Sequence, residues 1–219
     1  MAILKNGLFG AVSGRLGNTV IYQKDNKMFV RMIGKRKAPL SENELANRFA
    51  FGVVMGFLKV MRLLINVGFA VAAKSDGMYP MNKAVSVNRK WALTGSYPDV
   101  EIDYARALLS FGSLYGLAGP SVVLEGNALN FSWEVDVSMG WPYAIDQVMV
   151  LAYFPDLVLE EGSGLQKAYF SLNAALRKSG HASLDLPDEL VNERMEVYVT
   201  VVSNDKLSAS MSQYLGRLN

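Results

Sequence analysis

The chain has 219 residues, 51% of them hydrophobic and 19% charged, with 22 Lys and Arg against 20 Asp and Glu and no cysteine. That composition excludes a solvated disordered chain, and the missing thiols exclude disulfides, thiolate metal sites and a cysteine nucleophile. The near-neutral total conceals a polarity: residues 1–110 hold 16 basic and 7 acidic side chains, a net of +9, and residues 111–219 hold 6 and 13, a net of −7.

Two modules are therefore expected, a basic one with helices and an acidic one rich in strands. The first ten residues carry one lysine and only a brief apolar stretch, which gives no signal-peptide core and predicts a cytoplasmic protein. Gly7, Gly10, Gly14 and Gly17 punctuate the beginning of the chain as turns or bulges. Strands are predicted over Asn18–Lys24 and Lys27–Ile33, joined by Asp25-Asn26, a pair that tolerates the positive φ of a tight hairpin. A two-residue loop would set Tyr22 opposite Phe29, Val20 opposite Arg31 and, unfavourably, Lys24 opposite Lys27.

Ser41-Glu42-Asn43-Glu44 is a capping box, so a helix starts there. Its apolar positions Phe49, Val53, Phe57, Val60, Leu63, Leu64, Val67 and Val71 recur at three- and four-residue steps, with Lys59, Arg62 and Asn66 as a narrow polar stripe. The run Phe49–Ala73 is long enough to span a bilayer, but charges at the centre of a spanning helix cost roughly 2.5–3.5 kcal/mol each on insertion scales. A mostly buried helix to about Lys74, with Gly68 as a candidate break, is the expectation. A second helix is predicted over Met81–Leu93, closed by Gly95 and Tyr97-Pro98, and Val100–Leu109 reads as strand-like.

Gly112, Gly116, Gly119 and Pro120 are read as a linker dividing a basic α+β module, residues 1–118 with a β-hairpin and two helices, from a β-sandwich over residues 119–219. Beyond the linker the period becomes two: Leu129, Phe131, Trp133 and Val135 alternate with Asn130, Ser132 and Glu134. Further strands are expected at Ser121–Glu125, Gln147–Tyr153, Ala168–Leu172, His181–Leu186, Glu196–Ser203 and Ser208–Tyr214. Seven short strands over about a hundred residues make an immunoglobulin-like sandwich.

Leu129-Asn130-Phe131-Ser132-Trp133 resembles the second strand of fibronectin type III domains. Val150-Leu151-Ala152-Tyr153, Val197-Tyr198-Val199-Thr200-Val201 and Ser208-Ala209-Ser210 resemble the third, sixth and last. Over nearly the whole chain, the words Gly14-Arg15-Leu16-Gly17-Asn18-Thr19-Val20, Asn47-Arg48-Phe49, Thr94-Gly95-Ser96-Tyr97-Pro98-Asp99 with Asp103-Tyr104, and Ser208-Ala209-Ser210 with Gln213-Tyr214-Leu215-Gly216 resemble an uncharacterised bacterial family known only as a domain of unknown function. That resemblance implies no chemistry.

The stretch Gly10–Gly17 lacks the Lys-Ser/Thr and the following helix that a phosphate-cradling loop needs, because Asn18-Thr19 opens a strand. His181 is the sole histidine and no metal or triad pattern surrounds it. Glu160-Glu161 beside Gly162-Ser163-Gly164 reads as an exposed loop. The basic set Lys24, Lys27, Arg31, Lys35, Arg36 and Lys37, with Tyr22 and Phe29 among it, is the candidate for an anion or a nucleic-acid backbone; a solvated edge that discourages strand aggregation is the competing reading. Gly52 and Gly56 would let another helix approach the first helix closely, within the chain or from a second copy. Together these features point to a non-catalytic binding or assembly protein that needs no cofactor, with a second copy or a protein partner bound and no membrane. The alternative is a nucleic-acid-binding protein working through residues 24–41.

Overall fold

In the computed structural model of the chain, residues 2–4, 12–24, 27–35, 37–136, 140, 142–160, 162 and 164–219 are described. The chain is an α+β protein that divides into two compact units, Met1–Glu42 and Asn43–Asn219.

The first unit holds strands β1 (Ala2–Leu4), β2 (Val12–Leu16), β3 (Thr19–Lys24) and β4 (Lys27–Met32), joined antiparallel in the order β1-β2-β3-β4. The two hairpin strands lie within a residue of their expected limits, in the expected register. Tyr22 opposes Phe29, Val20 opposes Arg31, and the like-charged Lys24 and Lys27 oppose each other. The hairpin loop Asp25-Asn26 lies outside the described residues, as does the glycine-punctuated start at Gly7 and Gly10.

The second unit is built from helices α1 (Glu42–Lys59), α2 (Arg62–Gly68), α3 (Ala70–Ser75) and α4 (Pro80–Trp91), and from strands β5 (Leu93–Thr94), β6 (Glu101–Ile102), β7 (Ala118–Glu125), β8 (Ala128–Glu134), β9 (Gln147–Tyr153), β10 (Ala168–Leu176), β11 (His181–Asp185), β12 (Met195–Val202) and β13 (Gln213–Leu218). Its large sheets run β10-β9-β12-β13 and β11-β8-β7; β5 and β6 pair as a small ribbon. Side chains alternate across a strand, and β9 and β12 use both faces. Val148, Val150, Ala152, Val197, Val199 and Val201 pack with Leu129, Phe131 and Trp133 of β8. Met149, Leu151, Tyr153, Tyr198 and Val202 pack with Val54, Phe57, Leu58, Met61, Leu64, Ile65 and Phe69 of the helical segment. Every residue of β12 is buried, the near-continuous apolar run expected of a strand covered on both sides.

That shared core corrects the domain expectation. Residues 43–118 are not a module separate from 119–219, because the helices complete the outer face of the four-stranded sheet. Two of the glycines read as a linker, Gly112 and Gly116, are places of close approach: a Cβ on Gly116 would stand 2.6 Å from the Gln213 Oε1, and that side chain is already engaged, accepting from the Leu117 N–H at 2.7 Å and donating to its carbonyl at 3.0 Å.

The long helix is divided. α1 and α2 meet at 92°, which lets Phe57, Leu58, Met61, Leu64 and Ile65 all reach the sheet, while Lys59, Arg62 and Asn66 stay exposed as the polar stripe. At Gly68 the helix ends where residues 109–111 cross it, the Phe111 N–H donating to the Gly68 carbonyl at 3.1 Å. Among the described residues no single helix is long and apolar enough to cross a membrane. Two strand expectations also change. Of Val100–Leu109 only β6 pairs, because buried Asn88 holds Leu108 through both its backbone groups at 2.8 Å. The final strand is shifted to β13, and Ala209 and Ser210 make isolated bridges to Val202 and Leu114 instead.

Because Leu151 joins helices and sheet in one core, Leu151→Ala should lower stability by about 2–5 kcal/mol. Chemical denaturation followed by far-ultraviolet circular dichroism and by tryptophan emission should show one coincident transition, shifted equally.

Candidate functional site

Residues opposite one another on neighbouring strands share a face, so the N-terminal sheet has two unlike faces. One carries Arg15, Val20, Tyr22, Lys27, Phe29 and Arg31, with the Tyr22 and Phe29 rings stacked at 5.5 Å and 17°. The other carries Leu16, Ile21, Met28, Val30 and Met32. All six residues of β4 are exposed. Val30 is 65% and Met32 71% exposed, values far from those of residues whose apolar surface is covered.

The sheet therefore brings Lys27 and Arg31 together with the aromatic pair. Lys24 takes its predicted place on β3, though its side chain lies outside the described residues, and Arg36 lies outside them altogether. Lys35 and Lys37 are exposed on the segment that follows β4, not on the sheet. The division after Glu42 also relocates the charge contrast: residues 1–42 contain 8 basic and 2 acidic side chains, a net of +6, and residues 43–219 contain 14 and 18, a net of −4. The basic character belongs to the N-terminal unit, not to a whole half of the chain.

Gly52 and Gly56 lie on the outer side of α1, whose inward side buries Val54, Phe57 and Leu58. Among the described residues no atom from outside the helix stands within 4 Å of where a Cβ on either would be, so no described helix uses the close approach they offer. With Phe57, Tyr104, Tyr153, Asp156, Lys167 and Arg194 they border a cleft of about 550 Å³.

At the edge of that cleft stands a cluster that the sequence reading missed. Glu196, fully buried on β12, accepts from the Arg194 Nη2 at 3.0 Å, the Arg217 Nε at 2.9 Å and the Tyr214 hydroxyl at 2.5 Å. Arg194 also bonds Asp156 at 3.1 Å and lies 5.8 Å over the Tyr104 ring. The Tyr198 hydroxyl donates to the Tyr104 carbonyl at 2.7 Å. Burial pushes the hydroxyls of Tyr104, Tyr153 and Tyr198 up, and burial together with the Glu196 hydrogen bond pushes Tyr214 up to about 12. The cluster compensates a buried carboxylate and pins β12 to β13 and, through Arg194, to Asp156; its tyrosines are held protonated. A signal for it existed, a single charged side chain, the glutamate, in a strand otherwise without charge.

The remaining candidates are separate from one another. His181 begins β11 in an exposed position, its Nδ1 2.9 Å from the Ser179 carbonyl. Trp133 plugs the core and donates through Nε1 to the Arg177 carbonyl at 2.7 Å. Glu161 lies outside the described residues. Among the described residues no group of three or more His, Cys, Asp or Glu side chains is arranged to hold a metal ion.

The geometry is that of an α+β protein with a helix-covered pair of sheets and a small basic sheet bearing apolar side chains on its surface. The chain belongs to DUF6266, a family of unknown function whose model matches residues 11–216. No curated protein and no solved structure matches it. The family match agrees with the likeness read from the words Gly14–Val20 through Gln213–Gly216.

Two outcomes are expected of the Glu196 cluster. Removing one member of a buried ionic group leaves its partners unsatisfied, so Glu196→Ala should cost about 3 kcal/mol in denaturant titrations and Arg217→Ala, whose side chain is half in water, about 1 kcal/mol. The tyrosines, with an ordinary pKa near 10 in the unfolded chain, keep their protons longer in the folded one. Their contribution to stability is complete below about pH 10 and is lost as pH rises through the folded values. Melting temperature should therefore fall above about pH 10, and less steeply for Tyr214→Phe.

Proposed function

We propose that this protein is a non-catalytic binding or assembly protein whose working surface is the N-terminal sheet, with a second copy or a protein partner as its target. The single observation that carries this reading is β4, an edge strand with all six residues exposed and with Met28, Val30 and Met32 displayed together on one face. An exposed edge strand that displays an apolar face is a pairing and aggregation hazard unless it has an occupant. We read the seven strands β7 to β13 as a fibronectin type III-like, immunoglobulin-like sandwich. Three strands in the order β11-β8-β7 facing four in the order β10-β9-β12-β13, with Trp133 inside, support that reading. On it, the sandwich is a scaffold, since fold does not supply function.

The assembly reading is tested by light scattering of the whole chain from low to high micromolar concentration over a salt series. A mass above that of one chain, rising with concentration, is expected; a strict monomer throughout overturns it.

A second reading, nucleic-acid binding through residues 24–41, is favoured by the opposite face, where stacked Tyr22 and Phe29 lie among Arg15, Lys27 and Arg31. Aromatic platforms flanked by cations suit single strands. If it holds, a mixed-sequence single strand binds at low salt, and replacing Lys27, Arg31, Lys35 and Lys37 by Ala lowers the salt slope by about one per lost phosphate contact. No binding at low salt dismisses it.

A further inference from the structure

Resting on the assembly reading, we infer that the occupant of β4 is the β4 of a second copy, paired antiparallel about a two-fold axis that passes through Val30. The inference comes from the hydrogen-bonding parity of the strand. The Ile33 N–H donates to the Asn18 carbonyl at 2.8 Å. In an antiparallel ladder bonded and non-bonded pairs alternate, so the backbone groups of Arg31, Phe29 and Lys27 also point at β3. Those of Met28, Val30 and Met32 point away from it. Among the described residues β4 has no partner on that side.

Two identical strands joined edge to edge by a two-fold axis normal to the sheet keep like faces together, so only registers that centre on a residue are allowed. Centring on Phe29 sets Lys27 directly opposite Arg31 of the second copy, twice. Centring on Arg31 sets the two arginines opposite each other. Like charges in opposed positions are destabilising. Centring on Val30 avoids both. Val30 then opposes Val30, Met28 opposes Met32, and on the other face Phe29 opposes Arg31 in two reciprocal cation–π contacts. The outward backbone groups of Met28, Val30 and Met32 make about six new hydrogen bonds across the axis. The apolar side chains of the two copies form one continuous column on a joined sheet, and an isologous contact of this kind closes at two copies.

Charge also gives this contact a signature. Each N-terminal unit carries a net of +6, and joining two edges brings like fields together, so salt strengthens the pairing. Association of a basic unit with the acidic remainder of another copy would be weakened by salt instead.

The absence of cysteine from the chain makes the test direct. Bonded antiparallel pairs have Cα atoms about 5.5 Å apart, within disulfide range. Single variants Val30→Cys, Phe29→Cys and Arg31→Cys of the full chain are oxidised mildly and run without reductant. Covalent dimer should form in Val30→Cys at a yield about tenfold above the other two. Val30→Lys, at a position 65% exposed, should shift the unmodified chain from dimer to monomer, with a melting transition equal to that of the wild type when both are diluted to the monomer, and raising salt should favour the wild-type dimer. A wild-type dimer that survives Val30→Lys, or that cross-links better through Phe29→Cys or Arg31→Cys, overturns the Val30 register and leaves assembly standing through another surface. A wild-type monomer at all concentrations overturns both.

Discussion

The structure depends on the burial of one sheet on both faces. β9 and β12 send alternate side chains into two different cores, and each core needs the strand to hold its register, because a slip by one residue would exchange Val197, Val199 and Val201 with Glu196, Tyr198 and Thr200. The helices are therefore not an appended module. They are the cover that an apolar outer sheet face requires, and the 92° bend between α1 and α2 wraps that cover over Met149, Leu151 and Tyr153. The polar positions on the helix side are tied down in turn: Glu196 by two arginines and a tyrosine, and Thr200 through its hydroxyl to that of Ser110 at 2.5 Å. Among the described residues no buried side-chain nitrogen or oxygen lacks a partner.

The N-terminal sheet stands under a different constraint. Among the described residues, four short strands make a sheet with no helix or second sheet of its own unit against either face, and its two faces divide the chemistry, cations and stacked aromatics on one, methionine, valine and leucine on the other. A sheet so small buries little, and strands at an edge leave every second backbone group unpaired. In the proposed assembly both deficits are met by a second copy, in the register that the parity of β4 and the placement of its two cations favour.

Much of this was legible in the sequence where period and turn chemistry agree. The hairpin register followed from a two-residue loop, and β8 and β9 followed from alternation or an unbroken apolar run. The domain boundary was not legible, because the change of period after Gly119 marks the end of the helical layer and not the end of a core; cores are made by faces, and sequence does not say which faces meet. Val100–Leu109 resembled a strand by composition, yet Asn88, twenty residues away from Leu108, captures its backbone groups. Of the site residues, Lys27 and Arg31 were placed correctly beside Tyr22 and Phe29 by register alone, whereas Glu196, Arg217 and Tyr214 converge only through the pairing of β12 with β13. The openness around Gly52 and Gly56 depends on what the fold leaves beside α1, which spacing cannot state.

Amide hydrogen exchange along β4 in the full chain reads the central claim residue by residue. Phe29 and Arg31 bond to β3 in any state, so their amides are protected with or without a second copy. The account predicts that Met28, Val30 and Met32 are protected as well at concentrations where the chain is associated, and that this protection disappears on dilution. Rapid exchange at those three amides in the associated protein would contradict it.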